Sequence, residues 1–205
     1  KASTTDDDVC YGIETPVDYA AIEGKLNLNN LKYLVDAMSA CIIENEVPFC
    51  ELDSHAGDGD FGMSVAKGFR QLKREWKEIS TNATDMSTFL HACSMVIMEH
   101  CGGASGPIWG SAFRAASKAI VGKDSLTVAD FADMMQAAVK GIQATGDRSF
   151  GRGAAVGDKT LIDALVPCAD AWTESGKNGA SFIDAFKAGA KAAVDGAKAT
   201  EKIVA

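Results

Sequence analysis

Three aspartates, Asp53, Asp58 and Asp60, fall within eight residues of the stretch Leu52-Asp53-Ser54-His55-Ala56-Gly57-Asp58-Gly59-Asp60-Phe61-Gly62. Carboxylates drawn that close repel one another, so a fold that gathers them needs a compensating charge. A hard divalent cation supplies one: Mg²⁺ takes oxygen ligands in an octahedron, typically one or two carboxylates with substrate phosphates completing the shell. The competing reading is a glycine-rich turn whose aspartates cap the next helix, which accounts for two of the three. The run from Gly57 to Gly62 has the form G-x-G-x-x-G. No strand leads into it, however, and two carboxylates inside the turn would repel a bare pyrophosphate, so a dinucleotide fingerprint fails. An EF-hand counted from Asp58 fails as well, because its glycine and closing glutamate would fall on Met63 and Phe69.

Two further glycine-rich stretches precede helical segments. Gly102-Gly103-Ala104-Ser105-Gly106 lets a ligand approach the backbone and offers the Ser105 hydroxyl at a helix start. Gly153-Ala154-Ala155-Val156-Gly157-Asp158-Lys159-Thr160 is a near miss for a phosphate-binding P-loop, with wrong glycine spacing and Asp158 where lysine is required. What remains is a loop feeding a helix N-terminus, which presents N–H groups to an anion. Singly, each stretch is an ordinary connection; together, with one of them tri-acidic, they favour a nucleotide–metal site. His55, His91 and His100 form no ligand pattern and are read as surface or structural. No nucleophile–base constellation is assigned.

The elements that must hold these loops read as helices. Leu31, Leu34, Val35, Met38, Cys41 and Ile42 share a face after Asn29-Asn30, in a helix that Pro48 ends. A second helix over about 60–78 buries Ala66, Phe69, Leu72 and Trp76. Its outer face carries Lys67, Arg70, Lys73, Arg74 and Lys77, a solvated stripe or a surface for an acidic partner. Thr84-Asp85 opens a third helix, Gly106-Pro107 starts a fourth, and Thr127 with Asp130 caps a fifth. The loop from Gly146 to Gly157 leads to a sixth near Asp158, with Pro167 as a candidate kink, and Ser181 with Asp184 opens a seventh. No alternating strand pattern occurs, so the expected fold is all-α, an antiparallel helical bundle or barrel. Residues 1–27, with Asp6-Asp7-Asp8 and little periodicity, read as a tail or linker, leaving 28–205 as the domain.

The chain has 205 residues, 47% of them apolar, and a net charge of −8. That is enough for one good core and argues against nucleic acid or an anionic membrane as partner. The six cysteines show no C-x-x-C spacing, and with no apolar run long enough to span a bilayer and no signal peptide, a reduced, cytoplasmic protein is expected. A start at Lys1 and an end inside a helical pattern suggest part of a longer chain.

Leu52-Asp53 with Gly57-Asp58-Gly59-Asp60-Phe61-Gly62, then Gly102-Gly103-Ala104-Ser105-Gly106-Pro107, then Val156-Gly157-Asp158-Lys159-Thr160 with Asp163-Ala164-Leu165-Val166-Pro167, resemble in order and separation the nucleotide-binding L subunit or domain of dihydroxyacetone kinases. The resemblance covers roughly residues 28–205. It implies an eight-helix antiparallel α-barrel with the nucleotide, ATP or ADP, at one end. It implies two Mg²⁺ ions on Asp53, Asp58 and Asp60, with Phe61, Gly62 and Ser64 along the nucleotide. Ala104 and Ser105 would contact phosphate, and Gly153 and Leu161 would border the adenine. It further implies a K subunit or domain that holds the ketotriose, and in one branch a phosphotransferase-system donor that recharges bound ADP. Phosphoryl transfer needs positioning and charge neutralisation more than a protein nucleophile, which agrees with the lack of one here. Phe61 stands where some family members have histidine. Members also continue past Ala205 through a Gly-Arg-Ala-Ser-type stretch, an Asp-Pro-Gly loop and a final helix, and the seven long helices read here are one short. The alternatives are a nucleotide-sensing regulatory module without turnover and a related superfamily kinase with another substrate.

Overall fold

The computed structural model describes residues 10–54, 61–150 and 162–199, and the side chains of these apart from 52–53 and 146–150. Nine α-helices lie in the described residues: α1 (Leu28–Glu44), α2 (Glu46–Asp53), α3 (Phe61–Arg74), α4 (Trp76–Asn82), α5 (Met86–His100), α6 (Ser105–Ala119), α7 (Val128–Phe150), α8 (Ile162–Lys177) and α9 (Phe182–Ala199). The expected all-α class holds, with isolated bridges such as Leu26 to Leu126 as the only extended pairing among the described residues.

Local chemistry sets the helix starts. Asn27 accepts from the Asn30 N–H at 2.9 Å while Asn30 accepts from the Asn27 N–H, so the cap lies two residues earlier than Asn29-Asn30. Asp85 caps α5 through the Thr88 N–H at 2.7 Å. Thr127 and Asp130 form the reciprocal box before α7, and Ser181 accepts from the Asp184 N–H before α9. Pro48 ends no helix. It sits in the first turn of α2, where a missing N–H costs nothing. The expected helix over 60–78 is two, broken at Glu75. The first five residues of the expected loop from Gly146 are helical, since α7 runs on to Phe150; one glycine in a helix costs only about 1 kcal/mol. Pro167 lies inside α8.

Consecutive long helices pack side by side in alternating directions, α5 on α6, α6 on α7, α7 on α8 and α8 on α9, with α3 between α1 and α5. Phe69 of α3 reaches across the core to Trp109 and Phe113 of α6, at ring separations of 5.8 and 6.3 Å. Phe131, Trp172, Phe182 and Phe186 bind α7, α8 and α9 together, with the Phe131–Trp172 rings 4.3 Å apart. Beyond that cluster, Ile183 and Val194 of α9 stay 67% and 50% exposed. Cys41, placed inward by its spacing, is exposed.

Lys73 also departs from expectation. Its side chain is fully buried and bonds Asp36 of α1 at 2.5 Å and Glu14 at 3.0 Å. Asp36 accepts in addition from the Glu14 and Thr15 N–H groups at 3.0 and 2.8 Å and from the Thr15 hydroxyl. Residues 14–15 therefore lie against α1 and α3, tied there by the buried Lys73, Asp36 and Thr15, with Glu14 at the exposed edge. Helical period alone put Lys73 on the stripe with Arg70 and Arg74. A carboxylate one helix away, invisible in a local pattern, turned that position into an ion pair.

Candidate functional site

Glycine-mediated contacts bring the motif-bearing ends of the helices together. A Cβ at Gly62 would lie 2.9 Å from both the Cys50 nitrogen and the Phe49 Cβ and closer still to the Glu46 carbonyl oxygen, so α3 begins in backbone contact with α2. Arg70 forms an ion pair with Glu46 along the same seam, which holds the Arg70 guanidinium charged. Phe61 packs on Phe49 with the rings tilted by 59° and their centroids 6.2 Å apart. The Met63 N–H donates to Cys50 Sγ at 3.2 Å. The two helices that flank the acidic stretch, α2 and α3, are therefore fixed against one another.

The second motif docks on the first. The Gly102 N–H donates to the Ser64 carbonyl oxygen at 3.0 Å, and the Ser105 N–H donates to the Gly102 oxygen at 3.1 Å, forming the turn into α6. Gly103 holds φ at +53°, the left-handed region that glycine enters without strain. Cys101 packs under the turn, where a Cβ on Gly68 would come 2.9 Å from its nitrogen. Burial pushes its thiol up to about 11. Gly106 sits against the Met98 and Cys101 carbonyl oxygens, which draws the first turn of α6 onto the end of α5.

The third motif can be followed through its flanks. Thr145 bonds Ser111 at 2.8 Å, and a Cβ at Gly141 would meet that of Ala115 at 2.8 Å. These pairings run in opposite senses, so the end of α7 lies beside the start of α6. On the far side, Gly196 of α9 packs on the Asp163 carbonyl in the first turn of α8. The end of α2, the starts of α3, α6 and α8 and the ends of α5, α7 and α9 thus share one end of the bundle. The first turn of α6 carries no acidic residue, which leaves the positive end of that helix dipole facing the shared end of the bundle.

Of the residues expected to act, Phe61 is 38% exposed, Gly62 is buried, Ser64 and Ser105 are half-buried and Ala104 is exposed. The fold brings Ser64 against the Gly102 turn, while Asp53 closes α2. Asp58, Asp60, Gly153 and Leu161 lie outside the described residues, as does His55. Sequence reasoning missed Phe49, Cys50 and Cys101 as supports of this end. The signal for them was the pair Gly62 and Gly68 inside an amphipathic helix, each a place where a neighbour needs the room of a side chain.

The DAK2 domain family matches residues 55–205. The PEP-dependent dihydroxyacetone kinase 2, ADP-binding subunit DhaL of Listeria innocua is 29% identical over 168 residues, covering 79% of this chain and 75% of that protein. The PTS-dependent dihydroxyacetone kinase, ADP-binding subunit DhaL of Lactococcus lactis is 35% identical over 122 residues, 60% of this chain and 57% of that one. The PEP-dependent dihydroxyacetone kinase, ADP-binding subunit DhaL of Escherichia coli K12 is 29% identical over 149 residues, 73% of this chain and 67% of that protein. With the helix ends that flank its motifs gathered at one end of an antiparallel helical bundle and this match over most of its length, the chain belongs to the DAK2-domain family.

Proposed function

We propose that the chain is the Mg·nucleotide-binding component of a dihydroxyacetone-type kinase, delivering a phosphoryl group to a ketotriose held on a separate K subunit or domain. The observation that carries this reading is the 3.0 Å bond from Gly102 to Ser64, which ties the glycine-rich turn of α6 to the first turn of α3 directly after the acidic stretch. The chemistry of the donor set fits a hard cation: carboxylates only, on a stretch whose two ends are fixed by α2 and α3. Asp53, Asp58 and Asp60 would hold Mg²⁺, two ions in this reading, and the cations would neutralise the phosphates of ADP or ATP. Phe61, Gly62 and Ser64 would lie along the nucleotide. Ala104 and Ser105 would contact phosphate at an uncompensated helix N-terminus, and Gly153 and Leu161 would border the base. The unit would comprise residues 28–205, against which residues 14–15 and Leu26 of the preceding segment pack. All three relatives are named as ADP-binding subunits and the Lactococcus lactis one as PTS-dependent, which supports ADP as a bound carrier recharged by a phosphotransferase-system donor. Among the described residues no helix is long and apolar enough to cross a membrane; work on a small soluble ketotriose in the cytoplasm is part of the proposal.

Titration calorimetry with Mg·ADP tests it. Binding is expected, and Asp58→Ala should weaken it by ~100-fold or more, on the scale of a charge left unpaired. Absent binding, or binding indifferent to Asp58→Ala, refutes it. The regulatory-module alternative rested on a five-residue basic face. That face is reduced, since Lys73 is buried and Arg70 is paired with Glu46. Phosphoryl transfer in a mixture reconstituted with a K subunit separates the two, because a pure regulator gives none.

A further inference from the structure

On the outer side of α6, away from the Phe69–Trp109 core contact, lies a recess of about 530 Å³ between α5, α6 and α7. Its size matches that of small-molecule sites. Small residues make the room: Ser111 and Ala115 on α6 face Gly141 and Ala144 on α7, while Met98 of α5 closes the other side against Gly110. The wall carries hydroxyls, with Thr145 Oγ1 bonded to Ser111 Oγ at 2.8 Å. The rim carries Arg114 and Lys118, one helical turn apart on the same face of α6.

These two cations are the informative feature. Like charges four residues apart on a helix repel, and in a chain of net charge −8 carboxylate partners are plentiful. Lys123, Arg70 and Lys191 each find one, yet neither Arg114 nor Lys118 is in an ion pair among the described residues. An arginine fork beside a lysine point charge suits a phosphate dianion, and Met98, Ala115 and Ala144 offer an apolar floor for the body behind it.

We infer that this recess is a second anion site, for a small phosphomonoester with a compact apolar or hydroxylated body, on the outer face of α6 and α7, where it begins beside the motif-bearing end at Pro107 and runs away from it to Arg114 and Lys118. The site needs no metal and stands whether or not Mg·ADP binds at the acidic stretch.

Phenyl phosphate is the probe, titrated into the full chain and followed by backbone amide shifts, with phenylacetate and benzyl alcohol as monoanionic and neutral analogues. Saturable shifts are expected on 107–118 and 141–145, at least tenfold weaker for phenylacetate and absent for benzyl alcohol. The Arg114→Gln/Lys118→Gln variant should keep the parental melting temperature, because both positions are exposed, and should bind phenyl phosphate at least tenfold more weakly. Shifts equal in parent and variant overturn the site. So do equal shifts with benzyl alcohol, or loss of the phenyl phosphate signal on adding Mg·ADP, which would assign the anion to the nucleotide site at the acidic stretch.

Discussion

Gly62→Ala tests whether the seam between α2 and α3 fixes the ends of the acidic stretch. In an otherwise open helix this change would stabilise by up to about 1 kcal/mol through helix propensity. Here the new methyl group meets backbone atoms, the Glu46 carbonyl oxygen and the Cys50 nitrogen at 2.9 Å, which no rotamer change can move. Overpacking of this kind costs about 1–3 kcal/mol. The rigid neighbours put this case at the upper end, and subtracting the propensity gain leaves a net loss of roughly 2 kcal/mol. Urea unfolding should show a lower midpoint at unchanged slope. Because α2 must retreat from α3, Asp53 and Phe61 separate, and Mg·ADP affinity should fall along with stability. Gly102→Ala is the control. Its methyl group would meet the Ser64 hydroxyl at 3.2 Å, the far end of a side chain that can turn away, so its effect should stay within ~0.5 kcal/mol. A Gly62→Ala variant with the parental midpoint and affinity would refute the reasoning.

The remaining expectations concern the frame. Lys73→Met strands the buried Asp36 carboxylate with only the donors of residues 14–15, and should cost about 3 kcal/mol, the low end for breaking a buried pair; a loss under ~1 kcal/mol in urea would contradict the burial. The N–H of Thr88 bonded to Asp85, helped by the Thr88 hydroxyl, holds the Asp85 carboxyl below the usual carboxylate range. Its folded pKa being depressed, the cap's contribution is full above the unfolded value near ~4 and fades as pH falls through the folded value. Asp85→Ala should therefore lower stability at pH 7 and narrow the gap from the parent in acid; a gap constant from pH 7 to pH 2 would refute the assignment. With an aromatic disulfide reagent at pH 8, exposed Cys10 and Cys41 should react rapidly. Buried Cys93 and Cys101, whose thiols burial pushes up, should react only on unfolding; prompt titration of all six cysteines would count against the core packing.

The local features of this chain were legible because they are governed by neighbours in sequence. The all-α class, the caps at Asp85, Thr127 and Ser181 and the inward faces of α3 and α5 follow from spacing and side-chain chemistry within one or two turns. The resemblance rested on three ordered motifs in the same way. Where local rules compete, sequence reading slipped by a turn, as at Asn27, Pro48 and Glu75, since a cap or a first-turn proline depends on where the helix has already begun. Tertiary structure alone decided that Lys73 is core and not stripe, that Gly62 and Gly68 are points of helix contact, and that the Gly102 turn bonds the start of α3. Each of those depends on an atom more than ten residues away, and a single-sequence pattern carries no information about which distant groups will meet. The acidic stretch announces its chemistry by composition, but which helix ends stand around it is a property of how the bundle packs.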